Sequence, residues 1–373
     1  MWPKLKVLHW MTTRDHLPFL QYFLTLNVRN LKIRLEGAED VEVQKALGLV
    51  ESRCMNLEDL HLFDPGTRED KEIQDTIRQI VYNNSLTLRM FRPPQDPSVA
   101  LVNDILRLPV LQVLVMHVPK IPVPAPRGII PSLRSITFTL DEATDVIDLL
   151  GTLRRSRIRH FSLTCPYPTS EDDHLAIADF FGYTGLSSSV QVFSWEPYDW
   201  GVPAGRFATS LSGFSNMRTL HLGTSHGHSC QFAFCHHNIV QISMWMPRLR
   251  ELNLGGSPCK RDGVTDVGYH TFAALAKNCP NLVLITLHFI PVTFISYYLP
   301  EPNWNVAVWN VGGTPLPKYD APFLTLFAMT VAKLFPRVTF AGMEPANALE
   351  WSIIYEELQM LTLPAYHGLL NLM

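Results

Sequence analysis

A six-residue pattern recurs along this chain: apolar, two variable, apolar, one variable, apolar. It runs as LKVLHW (5–10), VRNLKI (28–33), LEDLHL (57–62), LQVLVM (111–116), LRSITF (133–138) and IRHFSL (158–163). It continues as VQVFSW (190–195), MRTLHL (217–222), LRELNL (249–254) and LVLITL (282–287), and SLTLRM (85–90) fits with one weak anchor. From Leu5 to Leu282 the first anchors step by 23, 29, 28, 26, 22, 25, 32, 27, 32 and 33 residues. Such near-regular spacing is the mark of a solenoid. Strand side chains alternate in direction, so the fourth and sixth positions of each unit point inward and their neighbours point out. Several return stretches place apolar residues three or four apart and read as helices: 42–54, 71–83, 141–153 and 269–279. Strand then helix, repeated, predicts an α/β solenoid with a curved parallel sheet on the concave side and helices on the convex side.

Composition agrees and excludes little else. The chain has 373 residues, 47% of them hydrophobic and 17% charged, which is globular. A formal charge of −3 gives no long-range attraction to nucleic acid or to an anionic membrane, so neither is expected as a partner. The six cysteines are scattered rather than framed, and MWPKLKVLHW lacks the pattern of a signal peptide. A reducing compartment, cytoplasmic or nuclear, is therefore expected. Asn281 to Pro300 carries no Asp, Glu, Lys or Arg and is long enough to span a bilayer. His288, Pro291 and the repeat pattern argue against that reading.

Residues 249–282, LRELNLGGSPCKRDGVTDVGYHTFAALAKNCPNL, resemble the cysteine-containing leucine-rich repeat of F-box/LRR proteins, an RNI-like class, in the degenerate style abundant in fungi. Leu249, Leu252 and Leu254 match on the strand, and Val264, Thr265, Asp266 and Gly268 match at the helix opening. Leu275, Ala276, Cys279, Pro280 and Leu282 complete the match. Thr265 or Asp266 is the expected helix cap, Cys279 the filler of a small buried slot, and Pro280 the helix stop. The resemblance implies a leucine-rich-repeat horseshoe that holds a target protein as the substrate-recognition part of an SCF-type ubiquitin ligase receptor. Adaptor and cullin would then join through a region absent from this sequence. HLPFLQYFL (16–24) has the Leu-Pro start of an F-box without its remaining pattern, and reads as a repeat helix. A solenoid needs a polar cap where this one begins on an apolar strand, so a cap or F-box is expected upstream of Met1. The alternative is an interaction scaffold with no ligase link.

HGHSCQFAFCHH (226–237) is the other conspicuous stretch. Zinc needs about four converging ligands, usually as C-x2-C and H-x3-H pairs, and neither spacing occurs. With the helix read as 231–246, Phe232, Cys235, Ile239, Ile242 and Met246 share one face, which points Cys235 into the core beside surface histidines. No metal or cofactor is expected. No phosphate loop, nucleophile elbow or metalloprotease motif is present, so the chain reads as a non-enzyme. A metal protein or enzyme built on this cluster is the rival from another class.

If the protein binds a partner on the concave face, the outward strand positions make the contacts. The middle positions are His9, Lys32, His61, Arg89, Val115, Thr137, Ser162, Ser194, His221, Asn253 and Thr286. Flanking positions add Arg34, Asp59, Phe63, Phe91, His160, Glu196, Glu251 and His288. Of these, Lys32, Arg34, His61, Phe63, Arg89, Phe91, His160, Ser194, His221, Asn253 and Thr286 are the candidate contacts. Lys32, Arg34 and Arg89 make the first third basic, with Phe63 and Phe91 as aromatic anchors, which suits an acidic segment of a target protein. The proline-rich stretches 92–99 and 117–131 are expected to be extended connectors. Residues 1–290 are read as about eleven degenerate repeats. Residues 291–373 are read as degenerate last repeats of the same domain: an insertion, a hidden strand in VAVW, a helix at 321–334, a strand in FPRVTF and a closing helix at 346–361.

Overall fold

The computed structural model describes residues 4–11, 14–63, 70–94, 96–118, 131–142, 146–147, 149, 153, 156–167, 171–183, 185–197, 204–223, 234–254, 266–287, 290–292, 301–311, 321–341 and 348–362. The chain divides into two compact units, Met1–Thr164 and Cys165–Met373.

In the first unit seven strands follow one another in parallel: β1 (Val7–Trp10), β2 (Asn30–Arg34), β3 (Asp59–Phe63), β4 (Met90–Arg92), β5 (Val113–His117), β6 (Ser135–Thr139) and β7 (His160–Thr164). The chain returns through a 3-10 helix (Arg14–Tyr22) and helices α1 (Asp40–Arg53), α2 (Lys71–Asn83) and α3 (Val99–Ile105). The segment 16–24 is thus a repeat helix of the tighter kind. Helix starts are satisfied locally. The Asp70 carboxylate accepts from the Glu72 and Ile73 amides, and the Ser98 hydroxyl from the Leu101 amide. The core forms where inward strand residues such as Leu31, Ile33, Leu60, Leu62, Leu114, Ile136 and Phe138 and helix residues such as Val43, Leu47, Ile73 and Ile77 are all removed from water. Asn84 is the buried polar link between repeats. Its amide donates to the carbonyls of Cys54 and Ile80, and its oxygen accepts from the Leu57 amide.

The second unit repeats this architecture with β8 (Val192–Glu196), β9 (Thr219–Leu222), β10 (Glu251–Asn253), β12 (Leu284–Thr286), β14 (Val308–Asn310) and β15 (Thr339–Ala341), again parallel and in order. Outside that sheet, β11 (Asp266–Gly268) pairs with β13 (Ile290–Val292). The helices are α4 (Glu171–Tyr183), α5 (Ala204–Ser210), α6 (His236–Trp245), α7 (Tyr269–Asn278), α8 (Ala321–Leu334) and α9 (Ala348–Thr362). Cys279 fills a buried slot, its thiol against the carbonyls of Ser243 and Met246 at 3.6 Å. Asn303 repeats the role of Asn84 by donating to the Cys279 carbonyl at 2.8 Å. Both units therefore have the strand–helix repeat of an α/β leucine-rich-repeat solenoid.

Three expectations are corrected. The fourth repeat is not SLTLRM: β4 places Phe91 opposite Leu60 and Leu114, so the repeat starts at Leu88, three residues later. Helix α6 begins at His236 rather than near 231. Cys235 is its exposed N-cap, because Asn238 turns back to accept from the Cys235 amide at 3.2 Å. Asp266 does not cap α7, since it lies in β11 and the helix starts at Tyr269. The helix read at 141–153 falls largely outside the described residues. Among those described, no helix is long and apolar enough to cross a membrane.

Candidate partner-binding face

The strand register places the outward residues of each unit in rows. In the first unit the middle row contains His9, Lys32, His61 and Arg92, because His9 pairs with Lys32, Lys32 with His61 and His61 with Arg92. Val115, Thr137 and Ser162 align next to one another further along. Two candidate contacts leave this face. Phe91 lies in the inward row and is fully buried, so it is a core anchor. Arg89 precedes β4, where its amide donates to the Glu58 carbonyl. Arg92 takes the middle position assigned to Arg89, and Met90 flanks it. The missed signal was LRMFRP (88–93), in which Phe and Pro stand where other repeats carry Leu or another apolar side chain.

The other candidates lie on outward strand positions. Lys32 is half-buried, and Arg34 is exposed and paired with Glu36 at 2.9 Å. Phe63 is covered on one side by the Arg92 guanidinium, 4.9 Å from the ring centroid, and the His61 ring lies 5.8 Å away. Exposed cation–π contacts of this kind contribute about 0.5–1 kcal/mol. His61 is itself largely covered, its Nε2 2.9 Å from an Asp59 carboxylate oxygen at an angle outside hydrogen-bond geometry. Further along, His117 is held between Asp96 at 2.9 Å and Asp141 at 3.2 Å. Asp96 has a φ of 55°, unusual for a residue with a side chain. His160 is exposed at the start of β7.

In the second unit Ser194, His221, Asn253 and Thr286 form the corresponding middle row, and Asn310 extends it. The Ser194 hydroxyl donates to Glu196 at 3.4 Å and His221 lies 3.6 Å from the same carboxylate, while Thr286 is nearly buried. This row is polar and carries no cation among its described members apart from what His221 supplies when protonated. Lys32, Arg34 and Arg92 lie on the outward side of the first unit together with Asp59 and with Glu36, which pairs with Arg34, while Glu196 and Glu251 lie on that of the second.

Of the 226–237 stretch the structure describes residues 234–237. His226, His228 and Cys230 lie outside the described residues. His236 Nδ1 is 2.8 Å from the Thr271 hydroxyl and His237 is exposed. Among the described residues no three His, Cys, Asp or Glu side chains converge on a metal position. Burial pushes the Cys54 thiol up to about 12, partly offset by Arg53, and burial alone does the same to Cys279. Thiols so protonated are poor nucleophiles and metal ligands.

No family model matches the chain, and no curated protein matches it. Among solved structures it is similar to that of Rad7 and Elc1 in complex, from yeast, at 18% identity and a TM-score of 0.46, over 90% of this chain and 72% of that one. It is also similar to an internalin from Listeria monocytogenes, at 11% identity and a TM-score of 0.41, over 91% of this chain and 87% of that one.

Proposed function

We propose that the chain is a protein-interaction module that holds a target protein on the outward face of its first-unit sheet. The observation that carries this reading is the Arg92 guanidinium 4.9 Å from the Phe63 ring centroid, with Lys32 in the same outward row as Arg92. Interfaces favour such aromatic and arginine side chains, and the cations select an acidic segment. The repeat at 249–282 supports the finer reading, in which the module is the target-holding part of an SCF-type ubiquitin ligase receptor, with adaptor and cullin recruited away from this face. A scaffold with no ligase link uses the same face.

The test is affinity purification of the protein expressed from its complete native transcript, followed by mass spectrometry, beside a Lys32→Glu/Arg92→Glu variant. The reading expects a reproducible partner that the variant loses. Adaptor and cullin retained by both forms would establish the ligase link, and their absence alongside a retained target would leave the scaffold. Partners unchanged by the variant would remove the assigned face. Stoichiometric zinc in the purified protein, lost on changing His226, His228 and Cys230, would instead revive the metal reading.

A further inference from the structure

We propose that the outer face of α9, the last described helix of the second unit, is a docking site for a basic amphipathic helix of a partner protein. The helix is anchored by its opposite face. Trp351, Ile354 and Leu358 are exposed by 2% or less, and the Trp351 ring lies 5.0 Å from that of Phe340 and 5.9 Å from that of Phe327. Successive helix residues turn by about 100°, so Leu349, Ile353, Glu356 and Met360, spaced by 4, 3 and 4, form one stripe on the far side. Leu349, Ile353 and Met360 are exposed by 64%, 39% and 50%. Alternation of three and four is the spacing by which one helix seats another along a seam.

The repeat does not require aliphatic side chains on this side of a helix. On the corresponding stripe α2 exposes Glu72, Asp75, Gln79 and Tyr82, and α7 exposes His270 and Lys277. Three aliphatic residues at seam spacing, on a helix already seated by its other face, mark a contact surface rather than a packing need. Charge decides what covers it. From residue 338 to residue 373 the chain has four glutamates and no lysine or arginine, and Glu350, Glu356 and Glu357 lie on α9 itself. Glu356 stands within the stripe, three residues after Ile353 and four before Met360. Among the described residues neither Glu356 nor Glu357 has an ion-pair partner.

A partner helix that covers the stripe therefore needs apolar residues at the same alternation and a lysine or arginine opposite Glu356. The same carboxylates disfavour other occupants. A helix with three carboxylates and no cation repels both nucleic acid and an anionic lipid surface. A second copy of this chain, pairing through the same stripe, would bring further carboxylates and no cation to neutralise them. The proposal does not rest on the function assigned to Lys32 and Arg92, which lie on the other unit and select the opposite charge.

The test uses the full chain and a labelled helical peptide with Leu along a three-and-four seam and Lys at one seam position and beside it, followed by fluorescence anisotropy. Two comparison peptides replace the Lys by Glu or the seam Leu by Gln. The Lys/Leu peptide is expected to bind about tenfold more tightly than either. Leu349→Gln/Ile353→Gln/Met360→Gln should weaken it by about tenfold at an unchanged melting temperature, because Gln keeps the helix propensity and the stripe lies outside the core. Glu356→Lys/Glu357→Lys should transfer the preference to the Glu/Leu peptide, and Lys32→Glu/Arg92→Glu should change nothing. Equal binding of the Lys and Glu peptides, or binding untouched by the stripe variant, would overturn the proposal. Self-association in sedimentation that the stripe variant abolishes would overturn the choice of occupant in favour of a second copy of this chain. Binding to phosphatidylserine vesicles that the same variant abolishes would overturn it in favour of a membrane.

Discussion

Phe91 and Arg92 are neighbours in sequence on opposite faces of one strand, so they should respond differently to truncation. Phe91→Ala is expected to cost about 3–5 kcal/mol, the usual loss for a buried aromatic ring, and Arg92→Ala less than about 1 kcal/mol. Urea denaturation of both variants checks this; similar losses would mean that β4 is out of register. Reading LRMFRP correctly from sequence was hindered because Pro93 replaces an aliphatic anchor while SLTLRM offers Leu88 and Met90 at nearly the right spacing. By contrast, Leu60, Leu62, Ile136 and Phe138 were legible because each repeat there keeps all three anchors. The thiols give a second residue-scale prediction. At neutral pH the exposed Cys235 should react quickly with a thiol reagent, while Cys54 and Cys279 react only on unfolding. Their raised pKa values also fix a sign. Because the folded state holds the proton more tightly, this contribution is constant below the ordinary thiol range and destabilises the fold as pH rises from about 9 toward 12.

Helices were legible where the period is clean and the cap is a familiar residue. The spacing at 71–83 and 321–334 gave the observed bounds of α2 and α8. In α2, Asp70 precedes the apolar stripe and accepts two amide hydrogen bonds, so Asp70→Ala should cost about 1 kcal/mol, within the usual range for an N-cap. Asp70→Asn should lose much less, and equal losses from the two changes would point to charge rather than capping. At α6 the apolar period extends back to Phe232, yet the helix starts only after Cys235, because the Asn238 side chain occupies the Cys235 amide. Cysteine is an uncommon cap, so the sequence pattern alone favoured the longer helix. At α7 the match with a familiar repeat placed Thr265 or Asp266 at the helix start; a second small sheet, invisible to period-based reading, takes Asp266 instead, and Thr265 lies outside the described residues.

At the scale of the molecule, repeats depend on their neighbours for burial, so a strong lesion in one, such as Phe91→Ala, is expected to loosen the adjoining strands first. The fold class was legible because the anchor spacing is a property of the whole chain and tolerates single misread repeats. The binding face was legible only in part. Lys32, Arg34 and Phe63 followed from strand alternation, whereas Arg92 depended on the one register that was misread. The central claim, that the outward face of the first unit holds a protein partner, is most directly tested by photocrosslinking from Val115 in the middle row, with Lys45 on α1 as the comparison, in protein expressed from its complete transcript. The account predicts a discrete crosslinked protein from position 115 that Lys32→Glu/Arg92→Glu abolishes, and none from position 45. Crosslinks from position 45 alone, or from position 115 unchanged in the variant, would contradict it.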